Sequence, residues 1–338
     1  MNSGALKYAV LGLLLMVVGA PGATFAETNE LRLGHQLGLG YLQFYIMHDL
    51  KLVEKYAKAE GLNDLKVTYK EIGSPSILND TILSGRLDMV SAGPPPFMNL
   101  WDRTRNNLDV RMLVALNMQP MKLNTNNPKW KTACEFSTRD RIAVPGVKTS
   151  THAILLSMLA EKCFGPAKRS FFDGLEVPMK HPDAVIALTS GKSVISGHFA
   201  TIPYQSIELR DPTVHTVVTS YDLMGGPSTV TGVWLSGKFY KDNPKTVHAA
   251  FQAFEEATEI IKKDPKRSAR IYLKLDKSTP LNQQQVEKIL TDPDVIYSVT
   301  PQKMMVWAKT MYSLGLLKHE PKSWKDFFFP MAYDLAGN

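Results

Sequence analysis

Three polar turns in the first hundred residues carry the residue types that can hold a small solute: Gln36 to Tyr41 (QLGLGY), Gly73 to Ser76 (GSPS) and Ser91 to Pro96 (SAGPPP). Gln36, Ser74, Ser76 and Ser91 offer amide and hydroxyl hydrogen bonds, and Leu37 and Tyr41 a flat apolar wall. Gly93 lacks a side chain, so a guest can approach its main chain. Three later turns have the same character. Gly146 to His152 contains Thr149, Ser150 and Thr151, Ser196 to Thr201 contains His198, and the third runs from Asp222 to Ser228. Two of the six, at Ser74-Pro75-Ser76 and at Lys148-Thr149-Ser150-Thr151, lead into helical runs. Free N–H groups and the positive end of a helix dipole suit an anion, by ~0.3–1 kcal/mol per helix at an exposed end. The same hydroxyls also serve as ordinary helix caps, and one residue can do both. Asp222 can accept from an amino group on a solute or pair with a nearby lysine. His35, His152 and His198 fall beside these turns, as solute contacts or as hydrogen-bonded bystanders.

The residue patterns that would announce catalysis are missing. Gly146-Val147-Lys148-Thr149-Ser150 lacks the Gly-x4-Gly-Lys spacing of a phosphate-binding loop. The eight histidines show no zinc-hydrolase spacing, and no Gly-x-Ser-x-Gly elbow occurs. No catalytic residue, metal site or cofactor is expected. The two cysteines, Cys134 and Cys163, are too few for a metal centre.

The elements that must position these turns alternate strand with helix. Leu31-Arg32-Leu33-Gly34 alternates as a strand, and a helix with apolar residues at 42, 46, 50, 53 and 57 follows, closed by Gly61. Leu65 to Ile72 reads as a strand, Pro75 to Leu83 as a helix ended by Gly85, and Leu87 to Val90 as a short strand. The turns at 73–76 and 91–96 then lie at the carboxyl ends of neighbouring parallel strands, where open α/β sheets bind ligands. A helix over 100–107 and a strand over 110–116 come next, then a polar crossing from Asn117 to Pro128. The plan repeats with strands 141–145, 175–179, 193–200 and 214–219, and helices 149–161, 182–190 and 202–209. Residues 222–228 read as a second, flexible crossing, 229–235 as a returning strand, and the C-terminal third as helical. Cys134, before one strand, and Cys163, after the helix behind it, fall at the same end of that unit. They form one disulfide in an oxidising compartment or two buried thiols.

The segment SILNDTILSGRLDMVSAGPPP, with a helix closed by glycine and an acidic strand entry at Gly85-Arg86-Leu87-Asp88, resembles periplasmic solute-binding proteins. The closest family is the nitrate/sulfonate/taurine type, which includes binders of thiamine-pyrimidine precursors. That resemblance covers most of the chain and implies a type II periplasmic-binding-protein fold: two α/β lobes with mainly parallel sheets flanked by helices, and a ligand cleft between them. It implies capture of a small-molecule ligand for an ABC importer, with a permease and its ATPase as partners, and a monomer. Where the family often has an acid beside an aromatic–proline pair, this chain has Ala200-Thr201-Ile202-Pro203-Tyr204, and Pro94-Pro95-Pro96-Phe97 replaces a Gly/Ser turn. Together the departures point to an organic ligand with an aromatic or aliphatic body rather than bare nitrate. With the basic excess and the helix ends, the expected ligand is an organic anion, sulfonate-like or an aromatic or aliphatic acid. The rival functions are an enzyme of pyrimidine synthesis with a bound cofactor on the same fold, and a periplasmic ligand sensor.

Residues 1–26 read as a signal peptide, with Lys7, an apolar run from Tyr8 to Ala20 and a small-x-small site at Thr24-Phe25-Ala26. No cysteine lies near that site, so a soluble periplasmic protein without a lipid anchor is expected. Of 338 residues, 312 then remain, enough for two lobes: 27–118 with 225–338, and 119–224. The formal charge of +7 comes from scattered Lys and Arg without an aromatic-studded basic tract, so nucleic acid is not an expected partner.

Overall fold

The computed structural model describes residues 27–190 and 194–338. The expected signal peptide lies outside the described residues. From the amino end come β1 (Glu30–His35), α1 (Leu42–Leu50), α2 (Leu52–Ala59), β2 (Lys66–Glu71), α3 (Pro75–Leu83), β3 (Met89–Ala92), α4 (Pro94–Thr104) and β4 (Arg111–Met118). Then follow β5 (Lys122–Thr125), β6 (Ile142–Val144), α5 (Thr151–Phe164), β7 (Glu176–Pro178), α6 (His181–Thr189), β8 (Gly197–Ala200), α7 (Tyr204–Glu208), β9 (His215–Thr219) and α8 (Ser220–Met224). The chain returns with β10 (Thr229–Leu235), α9 (Gly237–Asp242), α10 (Pro244–Lys263), α11 (Pro265–Leu275), α12 (Gln283–Leu290), β11 (Ile296–Tyr297) and α13 (Met304–Ser313).

Two sheets organise two lobes. The first has the order β11-β4-β10-β3-β1-β2 and the second β7-β6-β8-β5-β9. In the first, β1 is parallel to both β2 and β3, and β10 runs antiparallel between β3 and β4. In the second, β6 is parallel to β7 and β8, while β5 is antiparallel to β8 and β9. Side-chain alternation builds a core on each face of the first sheet. Leu31, Leu33, Val233 and Leu235 face α1, α2, α10 and α11, whereas Val90, Ala92 and Trp234 face the cluster containing Phe97, Trp101 and Trp307. That second cluster continues into the other lobe through Ile154, Leu155 and Phe199.

Several boundaries differ from the sequence expectation for local reasons. The helix expected over 42–57 is two, because Lys51 takes the left-handed conformation at φ 50° and ends α1. The turns at 73–76 and 91–96 do share a sheet edge, but β1 separates their strands. Pro94 to Pro96 are not a turn before a helix at 100; they are the first turn of α4, where a missing N–H costs nothing. The helix expected from 149 begins at Thr151, with Ser150 as its cap. The 117–128 crossing is largely ordered strand: β4 runs on to Met118 and β5 starts at Lys122, with Gln119 wholly buried between them. Gln119 accepts from the Ile202 N–H at 3.1 Å, and Gln205 donates to the Pro120 carbonyl at 2.9 Å, so this connection is tied on both sides. The second crossing begins as α8, ended by Gly225 and Gly226 at φ 70° and 115°, conformations open to glycine. Cys134 and Cys163 are joined by a disulfide, with Cα atoms 5.3 Å apart, tying the turn before β6 to the last turn of α5. Among the described residues no helix is long and apolar enough to cross a membrane.

Candidate functional site

A cavity of about 30 Å³ lies where the two sheets' carboxyl edges meet, and four helices start at it. Its wall includes Pro75, the first residue of α3; Gly93, the cap of α4; Ser150 and Thr151, the cap and first residue of α5; and Lys180 and His181, the same positions of α6. Two of these helices belong to each sheet's half of the molecule. Each strand ends where a Ser, Gly or Lys with extended backbone turns the chain into a helix, so the fold puts helix amino ends, not carboxyl ends, at this edge. Their positive dipole ends add, and no carboxylate lies in the wall. The donors are unequal. Pro94, Pro95 and Pro96 leave α4 without N–H groups in its first turn, so it contributes field and an apolar surface. In α5 the Ser150 hydroxyl takes the Ala153 N–H at 3.2 Å, leaving the Thr151 and His152 N–H groups as the helix's free donors.

The sequence-expected residues divide in this geometry. Gln36, Leu37, Tyr41, Gly93, Ser150 and Thr151 are brought together around the cavity. Tyr41 donates to Gln36 Oε1 at 2.9 Å and Gln36 donates to the Gly73 carbonyl at 3.1 Å, which fixes this wall. Gly93 does not offer open space to a guest. A Cβ there would stand 1.8 Å from Thr151 Oγ1 and 3.2 Å from the Val230 carbonyl, so the glycine admits the hydroxyl from the opposite lobe. Ser74 and Thr149 flank the site without lining it, and Ser76 is exposed on α3. Ser74 caps α3 by position only, with no side-chain hydrogen bond. Ser91 is fully buried in β3 behind the wall. Asp222 contacts neither a solute site nor a lysine: it closes a capping box on α8, accepting from the Thr219 N–H at 2.9 Å and hydroxyl at 2.7 Å.

His198 is also off the wall, for a different reason. It is wholly buried and forms the middle of a chain: His181 Nδ1 lies 2.8 Å from His198 Nε2, and His198 Nδ1 bonds Glu208 Oε1. Glu208 is itself fully buried and accepts from Asn124 at 2.8 Å. On the cavity side His152 lies edge-on to His181, ring centres 5.0 Å apart. Both His152 ring nitrogens are buried with no partner among the described residues. Burial holds His152 neutral, its pKa pulled down to about 3, with the neighbouring His198 adding to the effect; burial also puts His181 well below its ordinary value. An unpaired buried polar group costs ~1–3 kcal/mol, and both His152 nitrogens belong to a residue that lines the cavity.

The residues missed in the sequence are His181 and Lys180, with Met121, Pro145, Val230 and Thr231. The signal for the first two was present: Met179-Lys180-His181-Pro182 repeats the strand, then proline-started helix seen at 73–76. The stem of Lys180 crosses to the other lobe, where a side chain at Gly73 would meet its Cγ at 3.2 Å. Thr231 and Met121 gave no signal, because they sit on the returning strand β10 and in the connection before β5, whose places only the fold sets.

Two lobes, mixed α/β sheets and a cleft at their carboxyl edges define the type II periplasmic-binding-protein class. The chain belongs to the NMT1-like family, whose model matches residues 25–273. No curated protein matches it. Solved structures with the same fold include the alkanesulfonate-binding protein SsuA from Xanthomonas axonopodis pv. citri bound to MOPS, 17% identical, covering 87% of this chain and 96% of that one with a TM-score of 0.67. The periplasmic aliphatic sulphonate binding protein SsuA from Escherichia coli is 17% identical over 90% of this chain and 92% of its own, TM-score 0.66. The periplasmic nitrate-binding protein NrtA from Synechocystis PCC 6803 is 14% identical over 89% and 84%, TM-score 0.68.

Proposed function

We propose that this chain is an extracytoplasmic solute-binding protein that captures a small organic anion between its lobes and hands it to an ATP-driven importer. The observation that carries the reading is the convergence of four helix amino ends on one cavity whose wall has no carboxylate. Anions are the solutes such a site favours. Leu37, Tyr41, Pro96, Met121 and Val230 add an apolar surface that suits a hydrocarbon body beside the charged head. The names of the structural neighbours, which bind alkanesulfonates and nitrate, agree with an anionic class. In this reading the lobes are 27–118 with 225–338 and 119–224, the leader is removed after Ala26, and the mature protein works in the periplasm with a permease and its ATPase. A thermal-shift panel of alkanesulfonates, aromatic acids, nitrate and pyrimidines tests it. Stabilisation by members of the first three groups is expected, since a ligand that binds only the folded state raises its melting temperature. Stabilisation by neutral pyrimidines alone would overturn the anionic reading.

A further inference from the structure

The cleft's second lobe carries a buried array that simple anion capture does not use. It runs from the cavity wall inward as His152, His181, His198 and Glu208, drawn from α5, α6, β8 and α7. His152 is 7% exposed and His181 8%, and both line the cavity; His198 and Glu208 are sealed behind them. A structural role would leave such rings hydrogen-bonded within the protein. Here the inner two bonds are made, while both nitrogens of the outermost ring are left without a partner.

The proton positions follow from the chain's inner end. With Glu208 as the acceptor at the inner end, His198 donates from Nδ1. His198 Nε2 is then an acceptor, so His181 donates from Nδ1 and turns Nε2 outward as a lone pair. A lone pair at the wall repels an anion. One added proton at His181 Nε2 converts that acceptor into a donor, and the positive charge is shared along the hydrogen bonds toward the Glu208 carboxylate. His152, edge-on to His181, offers the second ring nitrogen for the same purpose. The other groups turned toward the pair do not supply this charge in its place. Tyr204, stacked on His181 at 5.3 Å, is kept neutral because burial pushes its pKa up. Tyr41 faces the pair from the other lobe with its hydroxyl donated to Gln36. Lys180 is the one ammonium in the wall, but its stem leads across to Gly73 and the exposed surface.

We propose that the cleft captures its anion together with one proton, which lodges on the His152–His181 pair and is stabilised through His198 by the Glu208 carboxylate. The inference rests on the reading of the cleft as an anion site and adds to it a coupling to pH. Without an anion, burial and the positive ends of α5 and α6 keep the pair neutral; an anion in contact reverses the balance. Affinity therefore rises as pH falls, by up to tenfold per pH unit between the pair's pKa in the free and the occupied cleft.

Calorimetry with ethanesulfonate, which stays an anion throughout, and with benzoate, run in two amine buffers of different ionisation enthalpy at pH 6 and 8, tests this. The expected result is uptake of about one proton per anion at pH 6, with affinity at least tenfold higher than at pH 8. His181→Gln and Glu208→Gln should each reduce the uptake toward zero. Histidine ring 1H–15N spectra of the unmodified chain give the second readout: ethanesulfonate should convert one ring of the array from neutral to imidazolium. Anion binding with no proton uptake and no ring change would overturn the proton coupling and leave the anion site standing. Saturation of the cleft by neutral or cationic compounds, with neither anion bound at either pH, would overturn both.

Discussion

At the scale of single residues, the hydroxyl of Thr151 is the group whose loss should be felt most directly. It stands at the first position of α5, in the cavity wall and against Gly93. Thr151→Val keeps the shape and removes the hydrogen bond, worth ~0.5–1.5 kcal/mol to a neutral partner and ~1.5–3 to a charged one. Affinity for an anion should fall by roughly ten- to a hundredfold, while Lys262→Ala, on the exposed face of α10, should leave it unchanged. Equal affinities in calorimetry would show that the hydroxyl is no ligand. A second consequence concerns acid. His35, His152 and His181 are held neutral by burial, the first two down to about 4 and about 3. The unfolded chain binds protons at these sites below pH ~6.5 and the folded chain does not, so stability falls on acidification from there. Each histidine contributes up to ~1.4 kcal/mol per pH unit until its folded pKa is reached. Glu176, pushed up by burial to about 7, acts in the opposite direction between pH ~4.5 and 7. Glu255, also raised by burial, acts the same way. Three histidines against two glutamates predict a net loss of urea stability between pH ~6.5 and ~5 in the anion-free protein; a flat profile would contradict the buried neutral assignment. Much of the wall was legible in the sequence because Gln36, Tyr41, Ser150 and Thr151 sit in turns with their own local signals. His198 and Asp222 have the right types and approximate places, but their partners, Glu208 and Thr219, are reached through a hydrogen bond that no spacing rule announces.

At the scale of elements, what the molecule arranges is helix starts. The alternation of strand and helix was legible, since Ser74-Pro75 and the small residues after each strand mark those starts. What was not legible is the order β3-β1-β2, or that Pro94 to Pro96 already belong to α4, because strand order and helix extension are settled by packing between segments far apart in sequence. The contact of α4 with α5 through Gly93 and Thr151 joins the two lobes. Gly93→Ala should hold them apart, since the new methyl meets the hydroxyl at 1.8 Å and a carbonyl at 3.2 Å. The expected outcome is a loss of affinity of tenfold or more, with some fall in melting temperature as well, because one apolar cluster runs through both lobes and the Val230 carbonyl must also give way. A drop in melting temperature with retained affinity would mean that the contact is merely structural. The disulfide ties α5 to the turn before β6, and a loop of its 29-residue separation typically adds ~2–4 kcal/mol. Replacing both cysteines by alanine should lower urea stability by that order without changing ligand affinity; a loss of affinity at full stability would give the bond a role at the cleft instead.

At the scale of the whole molecule, the cavity between the lobes has room for only about two to three waters in this arrangement, at the ~10–15 Å³ each requires. A solute with a hydrocarbon body cannot enter without the lobes separating. In the proposed reading capture is a hinge motion about the two crossings, in which the closed form is favoured by contacts made with the solute from both sides. The second crossing has the two glycines for it, Gly225 and Gly226, held by Lys303 through the Met224 carbonyl at 2.9 Å. Charge, in this reading, decides what is captured, through helix ends contributed by both lobes. The measurement closest to it is calorimetry of charge-matched pairs, benzoate against benzamide and ethanesulfonate against ethanesulfonamide, on the mature protein. One site per chain, with each anion bound at least tenfold more tightly than its neutral counterpart, is the predicted result. Equal or tighter binding of the neutral member of both pairs would contradict it.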